Sequence, residues 1–135
     1  MHGGIASDVL VGDQGRDRLE GGAGADRLYG GLQDNDRDVF LLNRHEDSTT
    51  RRNDTVFDFG AEDKIDLHGI DAWSSARRGN EAFHWSGDVA EAHSVWRVTD
   101  ADGVYVRGDV DGDARADFEI FLDGVAMLRG NDLIL

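Results

Sequence analysis

Aspartate recurs every nine residues in the first part of the chain, and a leucine follows each aspartate two positions later. The aspartates are Asp8, Asp17 and Asp26, and the leucines are Leu10, Leu19 and Leu28. Carboxylate oxygens suit Ca²⁺, which accepts about 6–8 oxygen ligands in flexible geometry. The composition agrees, because 18 Gly and 22 Asp, against only 6 Glu, favour tight turns built around oxygen ligands.

A fourth unit of this pattern is irregular. It opens with Gly30 and Gly31, but its aspartate position holds Asn35 and its apolar position holds Arg37. The register returns when three residues are inserted, which gives Asp38 followed by Phe40. A flexible Gly/Asp-rich linker would account for the composition, but it would not account for the period of nine in both aspartate and leucine.

The units GGIASDVLV, GDQGRDRLE and GGAGADRLY resemble the repeats-in-toxin (RTX) nonapeptide G-G-x-G-x-D-x-U-x, in which U is a large aliphatic residue. The resemblance implies a right-handed parallel β-roll in which six residues form a turn, three form a strand, and two nonapeptides form one coil. Asp8 then lies above Asp26, and Asp17 lies above Asp38. Stacked carboxylates repel each other unless cations lie between them, so we expect several Ca²⁺ ions. The glycines expected to contribute turn carbonyl ligands are Gly4, Gly22, Gly24 and Gly31.

From residue 43 the period is lost and short apolar runs alternate with Gly, Asp and Asn. The runs are Val56-Phe57, Ile65–Leu67, Phe83–Trp85, Val95–Val98, Val104–Val106 and Phe118–Leu122. A short helical turn is predicted from Ala72 to Arg78, with Asp71 as its N-cap. The expected architecture is all-β: a calcium-binding β-roll over residues 1–42, and a small antiparallel β-rich cap over residues 43–135 that covers its open edge.

A second resemblance covers essentially the whole chain. The segments GGAGADRLYGG, DVFLL, EDSTTRRNDTVFDFGAEDKIDLHGIDA and DVDGDARADFEIFLDG are similar to the C-terminal modules of serralysin-type secreted metalloproteases, and more loosely to the R-modules of alginate C5-epimerases. It implies that Asp47 and Asp54 bind calcium at the end of the roll. It also implies that the closing NDLIL belongs to a C-terminal type I secretion signal, although a terminal strand of the cap would read the same.

Four further aspartates form the pattern D-x-D-x-D-x-x-x-D, with Gly112 in the turn. They are Asp109, Asp111, Asp113 and Asp117. The spacing matches positions 1, 3, 5 and 9 of a calcium loop, but Ile120 stands where a bidentate Glu is expected. Strands Val104–Val110 and Phe118–Leu122 would make this segment a β-hairpin. A calcium site and a plain acidic hairpin turn are both open interpretations.

The chain lacks the motifs of the enzyme classes that we considered. His45-Glu46 is followed by Thr49 where H-E-x-x-H requires histidine, and no G-x-S-x-G is present. The formal net charge of −14 disfavours nucleic acid and anionic membranes as partners, and no apolar run is long enough to insert into a bilayer. With no cysteine, thiolate chemistry and disulfides are excluded.

We therefore predict a noncatalytic calcium-binding C-terminal module of a secreted, extracellular protein. Type I secretion machinery and an upstream domain of the parent protein are its expected partners, and calcium would drive folding after export. The alternative is an accessory module for an acidic, alginate-like polysaccharide, in which arginine pairs and tryptophans contact the sugar. The residues of this alternative are Arg51, Arg52, Arg77, Arg78, Trp73, Trp85 and Trp96. A third interpretation is a segment of an adhesin or toxin. Such proteins share the repeat, but no residue of this chain distinguishes that interpretation from the others.

Overall fold

The computed structural model describes residues 1–31, 35–70, 72 and 82–135, and this part of the chain is built from twelve short strands. The strands are β1 His2–Gly4, β2 Val9–Val11, β3 Arg18–Gly22, β4 Arg27–Tyr29, β5 Val39–Leu41, β6 Asp54–Phe57, β7 Lys64–Asp66, β8 His84–Trp85, β9 Ser94–Thr99, β10 Gly103–Gly108, β11 Phe118–Asp123 and β12 Leu133–Ile134. Two 3₁₀ turns, His45–Asp47 and Gly130–Asp132, are the helical segments of the described residues. Neither could span a membrane.

The strands form two sheets that the chain visits alternately at its N-terminal end. The first sheet has the order β1-β3-β5-β7-β12, and all its pairings are parallel. The second has the order β2-β4-β6-β11-β10-β9-β8, and its first four strands are parallel. From β1 to β7 the odd and even strands lie on opposite sheets, which defines a β-roll, so the all-β class and the parallel β-roll are confirmed.

The core of the roll consists of two apolar columns, one from each sheet. In the second sheet Leu10, Leu28, Val56 and Leu122 are register partners, strand by strand. In the first sheet the partners are Leu19, Phe40, Ile65 and Leu133. All eight side chains are buried. Because successive strand residues point to opposite faces, one apolar residue per three-residue strand is enough to fill the space between the sheets.

Parallel stacking continues beyond the nonapeptide units. Strand β6 pairs with β4, and β7 pairs with β5, so the expected boundary at residue 42 falls inside the stack. We assigned Val56-Phe57 and Ile65–Leu67 to the antiparallel cap, and that assignment is wrong, because both runs supply strands of the roll. The closing Leu133–Ile134 also pairs parallel with β7 and is not a strand of the cap.

The antiparallel part of the second sheet is continuous with the roll. Strand β11 pairs parallel with β6 on one side and antiparallel with β10 on the other, and β10 pairs antiparallel with β9. The predicted runs after residue 82 match β8 to β11, but β8 pairs parallel with β9, so the prediction of an antiparallel cap is wrong for β8. The predicted helical turn from Ala72 to Arg78 lies outside the described residues, apart from Ala72 itself. One strand, β11, therefore connects the stacked turns to the C-terminal hairpins.

Candidate calcium-binding turns

The turns between strands place aspartates in two columns, one at each side of the roll. The first column contains Asp8, Asp26 and Asp54, and the second contains Asp17, Asp38 and Asp63. In each column the backbone N–H of one aspartate donates to Oδ1 of the aspartate in the next coil. The N···O distances are 2.7 and 3.0 Å in the first column and 2.9 and 2.8 Å in the second. The predicted stacking of Asp8 on Asp26 and of Asp17 on Asp38 is confirmed.

One oxygen of three stacked carboxylates is buried without a hydrogen bond. Oδ2 of Asp8, Asp17 and Asp26 is inaccessible to solvent and has no donor. Each of these oxygens lies close to the first glycine of its own repeat, and a Cβ at Gly21 would overlap Oδ2 of Asp26. A buried carboxylate oxygen without a partner is costly, so a cation is the group that these residues fit.

Backbone carbonyls lie between the stacked turns, beside the glycines that we assigned to the metal sites. Gly4, Gly22, Gly24 and Gly31 have φ values of 128°, 90°, 148° and 132°, a region that residues with a Cβ rarely adopt. A Cβ at Gly22 would overlap the carbonyl oxygen of Gly4, and one at Gly24 would lie 2.5 Å from the carbonyl oxygen of Ala6. The turns thus combine carboxylate and carbonyl oxygens, the donor set that Ca²⁺ prefers. The ligand role of each glycine carbonyl stays a prediction.

The electrostatics of the first column reflect burial of like charges. Burial raises the pKa of Asp54 to about 7; the N–H of Asp26 lowers it, and the charges of Asp26 and Asp47 raise it further. Burial also raises the pKa of Asp26 and of Asp47. Each of these carboxyls therefore takes up a proton, or another cation, more readily than a carboxyl in water.

Asp47 and Asp54, which the second resemblance assigns to the end of the roll, lie in the same layer. Asp54 is the third member of the first column and is buried. Asp47 ends the 3₁₀ turn, is also buried, and lines a cleft together with Gly24 of the preceding layer. The structure brings both carboxyls towards the stacked turns, and their binding of an ion stays a prediction.

Asp63 completes the second column, and our reading of the sequence missed it. It accepts the N–H of Asp38 at 2.8 Å and also the N–H of Gly60 at 2.7 Å. A signal was present, because every column aspartate stands two residues before an inward apolar residue. Asp54-Thr-Val56 and Asp63-Lys-Ile65 repeat the pattern of Asp8-Val-Leu10 without the glycines in the earlier units.

The acidic loop between β10 and β11 is held by hydrogen bonds from its own backbone. Asp109 is fully buried, and its two oxygens accept N–H groups of His93, Asp111, Gly112 and Ala114 at 2.8–3.2 Å. Burial acts to raise the pKa of Asp109, but these donors outweigh it and the net shift is downward. The predicted β-hairpin is confirmed, with Asp109 as the anchor of its turn.

Three of the four loop aspartates could share a cation. Carboxylate oxygens of Asp109, Asp111 and Asp117 all lie within 4.8 Å of one another. Asp113 is not part of this group, and its Oδ1 accepts the N–H of Arg115. Since Asp109 is already satisfied by backbone donors, the hairpin turn needs no ion to explain it. Binding of calcium by these four aspartates stays a prediction.

The residues of the polysaccharide alternative are only partly available to a ligand. Trp96 is buried, and Trp85 is half-buried with the guanidinium of Arg97 5.9 Å from its ring centroid. The prediction that Trp96 stacks on a sugar is therefore wrong, whereas a sugar contact of Trp85 stays a prediction. Arg51 and Arg52 are exposed, as predicted for a surface pair. Trp73, Arg77 and Arg78 lie outside the described residues.

The fold and the turns define a class of protein: a parallel β-roll whose stacked acidic turns bind cations. Residues 2–36 match the family model of the RTX calcium-binding nonapeptide repeat, in four copies. Residues 2–36 are accordingly RTX calcium-binding repeats, and Ca²⁺ is the ion that such repeats bind. No curated protein matches the chain in sequence.

Two solved structures share the fold over the whole chain. The R3 subunit of the AlgE6 mannuronan C5-epimerase of Azotobacter vinelandii is 24% identical with a TM-score of 0.64, and the match covers 98% of this chain and 72% of that one. The R2 subunit of the same epimerase is 22% identical with a TM-score of 0.60, covering 100% of this chain and 91% of that one. At this identity the likeness concerns the fold alone.

Proposed function

We propose that this chain is a noncatalytic calcium-binding module of a secreted protein, and that calcium drives its folding after export by a type I system. The observation that carries the proposal is the buried, unpartnered Oδ2 of Asp8, Asp17 and Asp26. Three buried carboxylate oxygens without donors oppose folding unless a cation neutralises them. When bound, Ca²⁺ would supply that positive charge and bridge carboxylate and carbonyl oxygens of adjacent turns.

The column aspartates, with the turn carbonyls between them, are the residues that would hold the ions. The N–H of each aspartate fixes Oδ1 of the next, so Oδ2 is the oxygen left to face a cation. Backbone hydrogen bonding thus orients the carboxylates before metal arrives. Since the donors of one column come from different coils, an ion in the turns would join segments that are far apart in sequence.

The energy available from calcium is comparable with the stability of a small domain. At ~1 mM Ca²⁺ and a dissociation constant of ~0.1 mM, one site adds ~1.4 kcal/mol to the folded state. A few such sites approach the ~5–15 kcal/mol by which small domains are stable. Where calcium is scarce, repulsion among excess acidic groups opposes compaction, and an extended chain is the form suited to export.

Partners of the module follow from the same proposal. An upstream domain of the parent protein would be stabilised by a roll that folds beside it, and the export machinery would engage the C-terminal segment before folding. Leu133 is buried in the roll, and the N–H of Leu67 donates to the carbonyl of Ile134 at 2.8 Å. Folding would therefore bury part of this segment. The export machinery would have to bind the segment before calcium folds the roll.

A calcium titration followed by far-UV circular dichroism tests the proposal. We expect a disordered spectrum in excess chelator and a cooperative gain of β signal at millimolar calcium, with magnesium much less effective because it demands stricter octahedral geometry. A β signal of equal size with chelator and with calcium would refute it. Absence of hydrolase activity in the folded form against peptide and glycan substrates is the expected result for a noncatalytic module.

Polysaccharide binding is the second candidate, and two pairs of half-buried aromatic side chains on the second sheet favour it. Tyr29 and Phe57 stack at 4.5 Å between ring centroids, and Tyr105 and Phe121 lie 4.6 Å apart. Arg107 lies 5.3 Å from the ring centroid of Tyr105. Aromatic rings beside a guanidinium suit an acidic sugar chain.

Isothermal titration with alginate oligomers, with and without calcium, tests this second candidate. We expect heat of binding only when calcium has folded the roll and reduced its negative charge. Replacement of Tyr29 by Ala should then weaken binding, with Val39→Ala, a change at a half-buried position of the other sheet, as a control. No heat in either condition would remove the candidate.

A further inference from the structure

Ser48 occupies the place at which a fourth aspartate of the first column would stand. In this column the N–H of Asp8 donates a hydrogen bond to Oδ1 of Asp26, and the N–H of Asp26 donates one to Oδ1 of Asp54. The N–H of Asp54 continues the series, but its acceptor is Oγ of Ser48, at 2.7 Å. Ser48 is fully buried. The ladder of carboxylates therefore ends on a neutral hydroxyl.

The hydroxyl of Ser48 also connects the column to β11. Its Oγ donates to the carbonyl of Glu119 at 2.5 Å, and the N–H of Glu119 donates to the carbonyl of Ser48 at 3.0 Å. The Glu119 side chain is held in turn by Asn53 at 2.7 Å and by Arg107 of β10 at 2.6 Å. A hydroxyl suits this position because it accepts a hydrogen bond from the N–H of Asp54 and donates one to the carbonyl of Glu119. An ionised carboxylate could only accept hydrogen bonds.

We infer that Ser48 is a positioning residue that fixes Asp54 for calcium and couples the first aspartate column to the antiparallel hairpins through Glu119. The inference rests on the proposed ligand role of Asp54. Its physical basis is that β11 pairs parallel with β6 of the roll on one side and antiparallel with β10 on the other. An ion held at Asp54 would then stabilise β10 and β9 as well as the roll.

A double-mutant cycle tests the coupling. The full chain is titrated with Ca²⁺ while folding is followed by circular dichroism, for wild type, Ser48→Ala, Asp54→Asn and the double variant. Asparagine keeps the Oδ1 acceptor for Asp26 but removes the charge. We expect Ser48→Ala to raise the calcium concentration at the folding midpoint ~10-fold, the order expected for a lost buried hydrogen bond. In the Asp54→Asn background the hydrogen bonds of the Ser48 hydroxyl remain but the proposed ligand is lost, so the same change should raise the midpoint by a clearly smaller factor.

Ser94→Ala is the matched control. Ser94 is also fully buried, and its Oγ donates to the carbonyl of Glu91 at 2.7 Å, in the hairpin region. A merely structural serine should shift the midpoint by the same factor in both backgrounds, and we expect this of Ser94. Equal factors for Ser48→Ala in both backgrounds, or no shift at all, would overturn the inference.

Two further measurements keep the test decisive. If Ser48→Ala fails to fold at any calcium concentration, Ser48→Cys, of similar size but weaker in hydrogen bonding, is used in the same cycle and should give a smaller shift of the same pattern. Amide hydrogen exchange should show that calcium protects Ile120 and Val106 less in the Ser48 variant than in the Ser94 variant. A wild type that folds without calcium would instead refute the proposed function, so the two failures are distinguishable.

Discussion

Replacement of Asp54 by Asn should stabilise the calcium-free protein at neutral pH and weaken its response to calcium. The pKa of Asp54 is raised from 3.8 to about 7, chiefly by burial. A carboxyl with a raised folded-state pKa binds its proton more tightly when folded. Its contribution to stability is therefore complete below about pH 4 and is lost as the pH rises through about 7.

The size of the effect follows from that shift. A difference of about 3 pH units, at 1.36 kcal/mol per unit, corresponds to ~4 kcal/mol as an upper bound. Asparagine has no charge to bury and keeps the acceptor for the N–H of Asp26. In calcium-free buffer at pH 8 the variant should be more stable than wild type by up to ~4 kcal/mol, and at pH 4 the two should be nearly equal. With calcium we expect the order to reverse, because the variant lacks the proposed ligand carboxylate.

Folding induced by an osmolyte that does not titrate between pH 4 and 8, such as sucrose, measures these stabilities even when the calcium-free chain is mainly unfolded. Circular dichroism is recorded across the osmolyte series at pH 4, 6 and 8, in buffer stripped of calcium by chelating resin. Asp123→Asn, at an exposed position at the end of β11, is the control and should change little. The reasoning is refuted if Asp54→Asn is less stable than wild type at pH 8 without calcium, or if the difference does not depend on pH.

Three other predictions concern a turn glycine, the core and the acidic hairpin. Gly22 and Gly15 both have a positive φ, but only at Gly22 would an added Cβ meet a carbonyl oxygen. In urea unfolding, Gly15→Ala should therefore lower the free energy of unfolding by ~1 kcal/mol, and Gly22→Ala should lower it clearly more. Equal losses would contradict close stacking of the turns. Leu19→Ala should lower the free energy of unfolding by ~2–5 kcal/mol, because Leu19 is fully buried. Val11 is 52% exposed, so Val11→Ala should lower it by under ~0.5 kcal/mol, and similar costs would argue against the assigned core. Asp109→Asn should cost ~1–3 kcal/mol equally with calcium, measured by thermal unfolding, and without calcium, measured by osmolyte-induced folding; a cost seen only with calcium would mark a ligand.

The first coils of the roll could be predicted from residue spacing, because their determinants are local. Each unit has a six-residue turn with glycines at positive φ that ends in an aspartate, and then a strand with an inward leucine. Every unit therefore meets the same neighbours in the next coil. Stacking of Asp8 on Asp26 follows from that repetition alone. The irregular fourth unit could be placed in the same way, since Asp38 and Phe40 restore the two-residue offset. Calcium chemistry follows from the oxygen donors of these turns.

The end of the roll and its connection to the hairpins were decided by the tertiary structure. Strand β11 joins the stack beside β6, and β12 joins it beside β7, although long segments separate each pair in the chain. Both partners are edges left open by earlier coils, and any apolar strand of suitable length could pair there, so spacing does not specify which one does. The same non-local pairing buries Trp96 and sets Glu119 against Ser48. Local repetition determines each turn, whereas the ending depends on contacts between distant segments that form only in the folded chain.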